Sequence, residues 1–227
     1  MSERPILFSA EMVRAILNGR KTQTRRNIKY TTEHRGPINP AYLEAHKNHP
    51  GWKDICPYGA PGDLLWVREA WRAPSQYDSI PPSRLPPAVD VQYIADAVAP
   101  WASRYRHTRF MPRWASRITL RITDIRVERV QDISDADAQA EGATMRPACN
   151  GFQRRYPGWS MDWSEVGQLS PYATGAKRGV KAPLTEGDVS LHNPKSAFAR
   201  LWNKINGPGA WDENPWVWVI SLERMKP

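Results

Sequence analysis

Between residues 118 and 127 the chain keeps a two-residue rhythm and then changes step. Ile118, Leu120 and Ile122 alternate with Thr119, Arg121 and Thr123, but after Asp124 the apolar positions move to Ile125 and Val127. Such alternation marks a strand with one face on a core, because successive strand side chains point to opposite faces. A strand that changes parity without stopping carries an extra residue, a bulge or tight bend, and this curls the sheet around it. Other strand signals are shorter. Leu64–Trp71 sets Leu65, Val67 and Glu69 on one face and Leu64, Trp66 and Arg68 on the other, and Val91–Ala95 and Trp216–Glu223 read as further strands. Helices are marked by their ends. Ser9 opens one that runs to Gly19, with Met12, Val13, Ile16 and Leu17 on one side. Ser134, with Asp137 three residues on, opens a short helix that carries Glu141 and stops at Gly142. Asn193-Pro194 opens a third, whose apolar face is Phe198, Leu201, Trp202 and Ile205 and whose end is Asn206-Gly207. Together these predict an α+β fold: a small, mostly antiparallel barrel with short helices packed on it.

The 227 residues fit a single domain, 1–227, interrupted by long loop insertions near 30–60, 73–110 and 143–192, where periodicity lapses and Pro and Gly accumulate. An apolar content of 41% is enough for a core and argues against disorder. The apolar stretches, such as Trp216–Ile220, are far too short to span a bilayer, and Glu3 and Arg4 stand where a signal peptide would be apolar. A cytoplasmic protein with no membrane partner is expected. Two cysteines, Cys56 and Cys149, provide no disulfide framework.

The charge, 32 basic against 23 acidic residues for a net +9, favours polyanions or nucleotides as partners. Arg104, Arg106, His107, Arg109, Arg113 and Arg117, interleaved with Tyr105, Phe110 and Trp114, form a basic-aromatic stripe. It reads equally as a surface for RNA or single-stranded nucleic acid and as an exposed edge of the barrel. His46, His49 and Cys56 lie close in sequence but lack a fourth partner, so no metal site is expected. With neither a phosphate-cradling Gly loop nor a dinucleotide fingerprint, no cofactor is expected either.

The sharpest cluster is Gly19-Arg20-Lys21-Thr22-Gln23-Thr24-Arg25-Arg26. If the chain turns after Gly19, the Lys21 amine and Thr24 hydroxyl meet in one cleft. A lysine acts as a base only when neutral, and crowding by Arg20, Arg25 and Arg26 together with desolvation favours that form. The amine can then take a proton from the Thr24 hydroxyl or from a water. The plainer reading is a solvated basic turn. Glu141, among Ala138, Ala140 and Gly142 at a helix end, reads locally as an exposed glutamate. Glu69 sits between Val67 and Trp71, so it is either buried in an ion pair with an arginine or faces a cleft.

Taken in order, Ile6-Leu7-Phe8, Gly19-Arg20-Lys21-Thr22 with Thr24 and Arg26, Pro61-Gly62-Asp63-Leu64-Leu65-Trp66-Val67-Arg68-Glu69, the strand 117–127, Asp132–Gly142 and the closing helix and strand resemble an ASCH-domain protein of the longer phage and prophage kind. The resemblance covers about half of the chain and leaves the three insertions outside it. It implies a PUA-like β-barrel, related to RNA-binding modules, and a similarity to small bacterial amidohydrolases that deacetylate N4-acetylcytidine. Their catalytic Lys, Thr and Glu fall on Lys21, Thr24 and Glu141; the Glu141 match depends on helix register. The implied substrate contacts are Phe8, Arg26 and Glu69, the implied partner is a modified pyrimidine nucleoside, and neither metal nor cofactor is implied. Thr24, or a water it positions, would attack the acyl carbonyl, Lys21 would take the nucleophile's proton, and Glu141 would orient the groups or protonate the departing amine. A backbone N–H or Arg26 would stabilise the oxyanion. Two other readings use the same features: a non-catalytic PUA-like module that binds RNA or another nucleic acid, and a ribonuclease.

Overall fold

The computed structural model describes residues 1–29, 40–47, 49, 51–96, 102–146, 158–161 and 193–225. In chain order these form β1 (Glu3–Leu7), α1 (Ala10–Leu17), β2 (Gln23–Asn27), α2 (Pro40–His46), α3 (Trp52–Ile55), β3 (Leu64–Arg68), β4 (Trp71–Arg72), β5 (Gln92–Tyr93), β6 (Thr119–Arg129), α4 (Asp135–Ala140), β7 (Thr144–Arg146), β8 (Gly158–Ser160), α5 (Pro194–Asn206) and β9 (Trp216–Arg224), with single 3₁₀ turns between several of them. The protein is α+β: a five-stranded sheet in the order β1-β3-β6-β9-β2, two small strand pairs and short helices.

The change of step in β6 is a register shift between Ile122, opposite Leu222, and Asp124, opposite Ser221. The apolar residues on both sides of it therefore stay in the core, where Ile118, Leu120, Ile122, Ile125 and Val127 are all buried. The interior strand β9 is covered on both faces. Trp216, Trp218, Ile220 and Leu222 join a core with Ile6, Phe8, Val13, Leu65 and Val67, while Val217 and Val219 join a second core with Ala138, Ala197, Phe198 and Trp202 from α4 and α5.

The helix ends match their residues. Ser9 Oγ accepts the Met12 N–H at the start of α1, Ser134 Oγ accepts the Asp137 N–H at the start of α4, and Asn193 Oδ1 accepts the Ser196 N–H at the start of α5. Gly19, just beyond α1, has φ +71°, a left-handed conformation in which a Cβ is strained.

The sheet is mostly antiparallel, with one parallel pairing among the described residues: β1 runs parallel to β3, with Ile6 opposite Val67, because α1, β2 and the first insertion lie between them and provide the crossover. Other expectations are corrected. The expected strand 64–71 breaks into β3 and β4 at Glu69 and Ala70, and Val91–Ala95 shortens to β5 followed by a 3₁₀ turn. The first insertion is not irregular throughout. It contains α2 and α3, which contribute Leu43 and Trp52 to the main core. The second builds a small core of its own around Trp71, Leu85, Met111 and Ala115. Most of the third, with Cys149, lies outside the described residues; its described parts pair β7 with β8 and bury Met161 against the α4–α5 core. No helix among the described residues is long and apolar enough to cross a membrane.

Candidate active site

The turn after α1 sets Lys21 in place. The backbone N–H groups of Arg20 and Lys21 both donate to the Ala15 carbonyl, the Thr22 N–H donates to Ala140 at the end of α4, and the Thr22 carbonyl accepts from Leu222 of β9. Lys21 is thus held between the C-terminal ends of α1 and α4. Glu141, the residue capping α4, points its carboxylate at it, with Lys21 Nζ 2.5 Å from Glu141 Oε2. The Lys21 side chain is 1% exposed and that of Glu141 4%. Nζ also donates to the backbone carbonyls of Gln23 (2.8 Å) and Glu141 (3.2 Å), so all three N–H directions of an ammonium are met. Burial lowers the Lys21 pKa below its ordinary 10.5; Glu141 opposes that shift, and Arg26 and Arg25 add to it. Arg20, expected to share in the crowding, is not among the causes.

Strand alternation along β2 sorts the neighbours. Gln23 and Arg25 face α4. The wholly buried Arg25 guanidinium donates to Gln23 Oε1 (2.7 Å), Glu141 Oε1 (3.3 Å) and Glu128 Oε1 (2.5 Å from Nη2), and lies 3.4 Å from Asp137 Oδ2. Arg126 closes the network on Glu128 (3.1 Å) and Asp137 (2.9 Å). Burial works to raise the Asp137 pKa, but Arg126 and Arg25 outweigh it and hold it low. Phe198 of α5 lies 5.7 Å from the Arg25 guanidinium.

Thr24 and Arg26 alternate to the other face. Thr24 is buried opposite Ile220, and its hydroxyl has no hydrogen-bond partner among the described residues. Arg26 donates to the Leu7 carbonyl (2.7 Å) at the end of β1, and its guanidinium stands 5.1 Å from the Phe8 ring, with Lys21 Nζ 5.8 Å from the same ring. Phe8 is fully buried, a floor beneath two cations and not an open stacking face.

Lys21, Glu141, Arg26 and Phe8 are therefore brought together, with Thr24 on the strand between them. Glu69 is not part of the group. Its 1%-exposed carboxylate is held by both ends of the Arg117 guanidinium, at 3.0 and 3.1 Å, in a cluster with Asp96 and Tyr93. Burial raises the pKa of this carboxyl while Arg117 counters. The ion-pair reading of Glu69 is the one the geometry fits, which corrects its place among the substrate contacts: Ala70 and Trp71 turn away into the second insertion, and Glu69 anchors that insertion through Arg117.

The basic-aromatic stripe is largely occupied within the chain. Arg106 is buried, donates to the Tyr77 and Ile80 carbonyls and lies over Trp71; Arg113 pairs with Glu3; Arg117 pairs with Glu69 and Asp96. Tyr105 and Phe110 remain exposed. Among the described residues no group of three or more His, Cys, Asp or Glu is placed to hold a metal. His46 and His49 meet edge to face at 6.5 Å, while Cys56 is buried in the core, where desolvation pushes its thiol up to about 11.

The residues that sequence reasoning missed are Gln23, Glu128, Asp137 and Arg126, the carriers of the network. For Gln23 there was a signal: it shares parity with Arg25 on a strand whose burial leaves no solvent for a polar side chain. Comparison of the chain with family models, curated proteins and solved structures found no match.

Proposed function

We propose that this protein is an amidohydrolase on a PUA-like barrel, acting without a metal to remove the acyl group from N4-acetylcytidine or related N4-acylated cytosine nucleosides. The observation that carries the reading is the buried Lys21–Glu141 pair at 2.5 Å. A lysine is costly to bury, and a perturbed lysine against a carboxylate is the arrangement that acid-base chemistry needs. The resemblance supplies the substrate class. The barrel is supported by the bulged β6 and by Arg26, whose guanidinium reaches from one edge strand, β2, to the end of the other, β1.

Because every N–H of the Lys21 ammonium is engaged, the amine becomes a base by first passing a proton across the short contact to Glu141 Oε2. A water held against the Thr24 hydroxyl then attacks the acyl carbonyl carbon and gives one proton to the neutral Lys21 Nζ. The tetrahedral intermediate collapses, the bond from carbon to N4 breaks, and the Glu141 carboxylic acid protonates N4. The products are cytidine and the free acid, and one water is consumed. Lys21 is left as ammonium beside the Glu141 carboxylate, which is the starting pair. The amine that leaves is delocalised into the pyrimidine ring, so the amide is weaker than an ordinary one. Arg25 positions Glu141 through Oε1 and leaves Oε2 for this exchange. We place the reaction in the cytoplasm, where a buried free thiol such as Cys56 is at home.

The test is loss of N4-acetylcytidine absorbance with purified protein, alongside Lys21→Ala and Glu141→Gln. Turnover by the wild type and a loss of about 10²-fold or more in each variant is expected. No turnover by the wild type, or wild-type rates in both variants, would overturn the proposal.

A further inference from the structure

The charges beside Lys21 sort into pairs by distance. Lys21 lies 2.5 Å from Glu141, Arg25 2.5 Å from Glu128, and Arg126 2.9 Å from Asp137. The cross contacts are longer: Arg126 to Glu128 at 3.1 Å, Arg25 to Glu141 at 3.3 Å and Arg25 to Asp137 at 3.4 Å. Arg25 therefore touches the carboxylate that Lys21 uses but belongs more closely to Glu128. Its Nε and Nη2 both donate to Glu128 Oε1, while Nη1 is divided between Gln23 Oε1 and Glu141 Oε1.

The sheet accounts for this reach. Arg25 of β2 and Arg126 of β6 stand opposite Val219 of β9 from its two sides, and Glu128 stands opposite Val217. Directly opposed residues share a face, here the face that α4 and α5 cover. Neighbouring strands are about 4.8 Å apart, so the Arg25 side chain passes over β9 to meet Glu128, with the Phe198 ring 5.7 Å from the guanidinium. That side chain is 0% exposed, and a cation without water needs a carboxylate close by. Glu128 is itself held from the other side, where Oε2 accepts from Arg126 Nε at 3.1 Å.

This pairing bears on the proton that Lys21 hands to Glu141. A guanidinium drawn fully onto Glu141 favours the ionised carboxylate and opposes the transfer, whereas one held by Glu128 leaves Oε2 free to accept. Burial lowers the Lys21 pKa, Glu141 opposes that shift, and Arg26 and Arg25 add to it. These are the charged groups acting on Lys21, from the end of α4 and from β2. Glu128 meets Arg25 and Arg126, with Asp137 of α4 on the same two guanidiniums, and α5 presents the Phe198 ring to Arg25.

We propose that Glu128 is a positioning residue for the Lys21–Glu141 pair: it draws the Arg25 charge away from Glu141 and so sets how readily the proton crosses. Its bearing on turnover rests on the hydrolase reading above; its hold on the lysine does not.

The experiment reads Lys21 directly, as the pH titration of its ¹³Cε resonance in the labelled full chain, assigned by its loss in Lys21→Met. The variants are Glu128→Gln, Glu128→Asp, Arg25→Met and the double variant Arg25→Met/Glu128→Gln, with circular dichroism as the check on folding. In Glu128→Gln, Lys21 should lose its proton about one pH unit lower than in the wild type, a tenfold change in that equilibrium. Glu128→Asp keeps the charge but withdraws it from Arg25 by one methylene, so it should move the midpoint the same way by about threefold, and it carries the test if Glu128→Gln does not fold. Adding Glu128→Gln to Arg25→Met should change little, because the link is already gone. With N4-acetylcytidine as substrate, Glu128→Gln should lower kcat about tenfold at unchanged KM and bring the high-pH fall of kcat/KM down by the same interval. An unmoved Lys21 midpoint in the folded Glu128 variants, or an equal shift with and without Arg25, would overturn the proposal; a merely structural carboxylate would change melting alone. The stated shifts in a protein that hydrolyses nothing would leave the role of Glu128 standing and defeat the hydrolase reading. Hydrolysis by Glu128→Gln with kcat and pH profile unchanged would do the reverse.

Discussion

Lys21 and Glu141 meet at 2.5 Å with side chains only 1% and 4% exposed, and tests of both stability and the proposed activity follow from that contact. Removing one partner strands the other as a buried charge, so Glu141→Gln should cost about 3–5 kcal/mol in urea unfolding. The double variant Lys21→Met/Glu141→Leu should recover most of that loss and remain inactive. Recovery of activity with stability would show the pair to be structural. The pH response is more specific. The mechanism needs the pair to keep its single proton, so kcat/KM should fall as pH rises through the Lys21 pKa, which burial holds below 10.5. Stability should move the other way. Between the lowered folded value and 10.5 the unfolded chain binds the proton that the folded chain has lost, so the contribution of Lys21 to folding rises with pH. Subtracting the unfolding profile of Lys21→Met isolates this from Tyr58 and Cys56. A pH-independent difference between the two profiles would contradict the shifted lysine. Lys21 was legible in the sequence because its basic run is local. The burial of Glu141 was not, because a helix end with small neighbours reads as solvent, and the cation that withdraws it from solvent lies 120 residues away.

Elements whose causes are local were readable, and those fixed by pairing were not. The caps Ser9, Ser134 and Asn193, the change of step in β6 and the apolar run of β9 all found their structures. The parallel meeting of β1 with β3 has no signature in either strand, and α3 is a single turn, too short for a 3.6-residue period to show. The six residues of α4 depend on their cap more than a longer helix would. Ser134→Ala should cost about 1 kcal/mol, and it should lower kcat because Glu141 and Asp137 are both placed by that helix. Calorimetry and steady-state kinetics check the two halves, and a stability loss with kcat unchanged would mean that α4 does not set the carboxylate. The 60–63 turn carries a different dependence. The N–H groups of Ser2 and Ala60 hold the Asp63 pKa down from 3.8 to about 2. Its stabilising effect is complete above 3.8 and disappears as pH falls towards about 2. Asp63→Asn should flatten the acid-unfolding curve across that interval.

In the whole molecule, the insertions are less separate from the core than their composition implied. The second folds around Trp71 and is fastened to the sheet through Arg117, Glu69 and Asp96, so arginines that read as a docking stripe serve largely to join two cores. Sequence reasoning could not tell these uses apart, since a paired arginine and a free one are the same letter. Arg117→Ala would leave the Glu69 carboxylate buried and unpaired, with an expected loss of about 3–5 kcal/mol and early proteolytic cleavage within 73–117; unchanged melting and protease resistance would count against the fastening. The sheet order has a further effect, on time. Among the described residues β2 has one ladder partner, β9, and Gln23 meets Ser221 across 198 residues of chain. At about 5–20 residues per second of synthesis, the strand beside Lys21 waits on the order of 10–40 s for its neighbour to leave the ribosome. Throughout that interval the lysine is an ordinary solvated cation on an unpaired edge, and its altered chemistry begins only when the last strand of the sheet arrives.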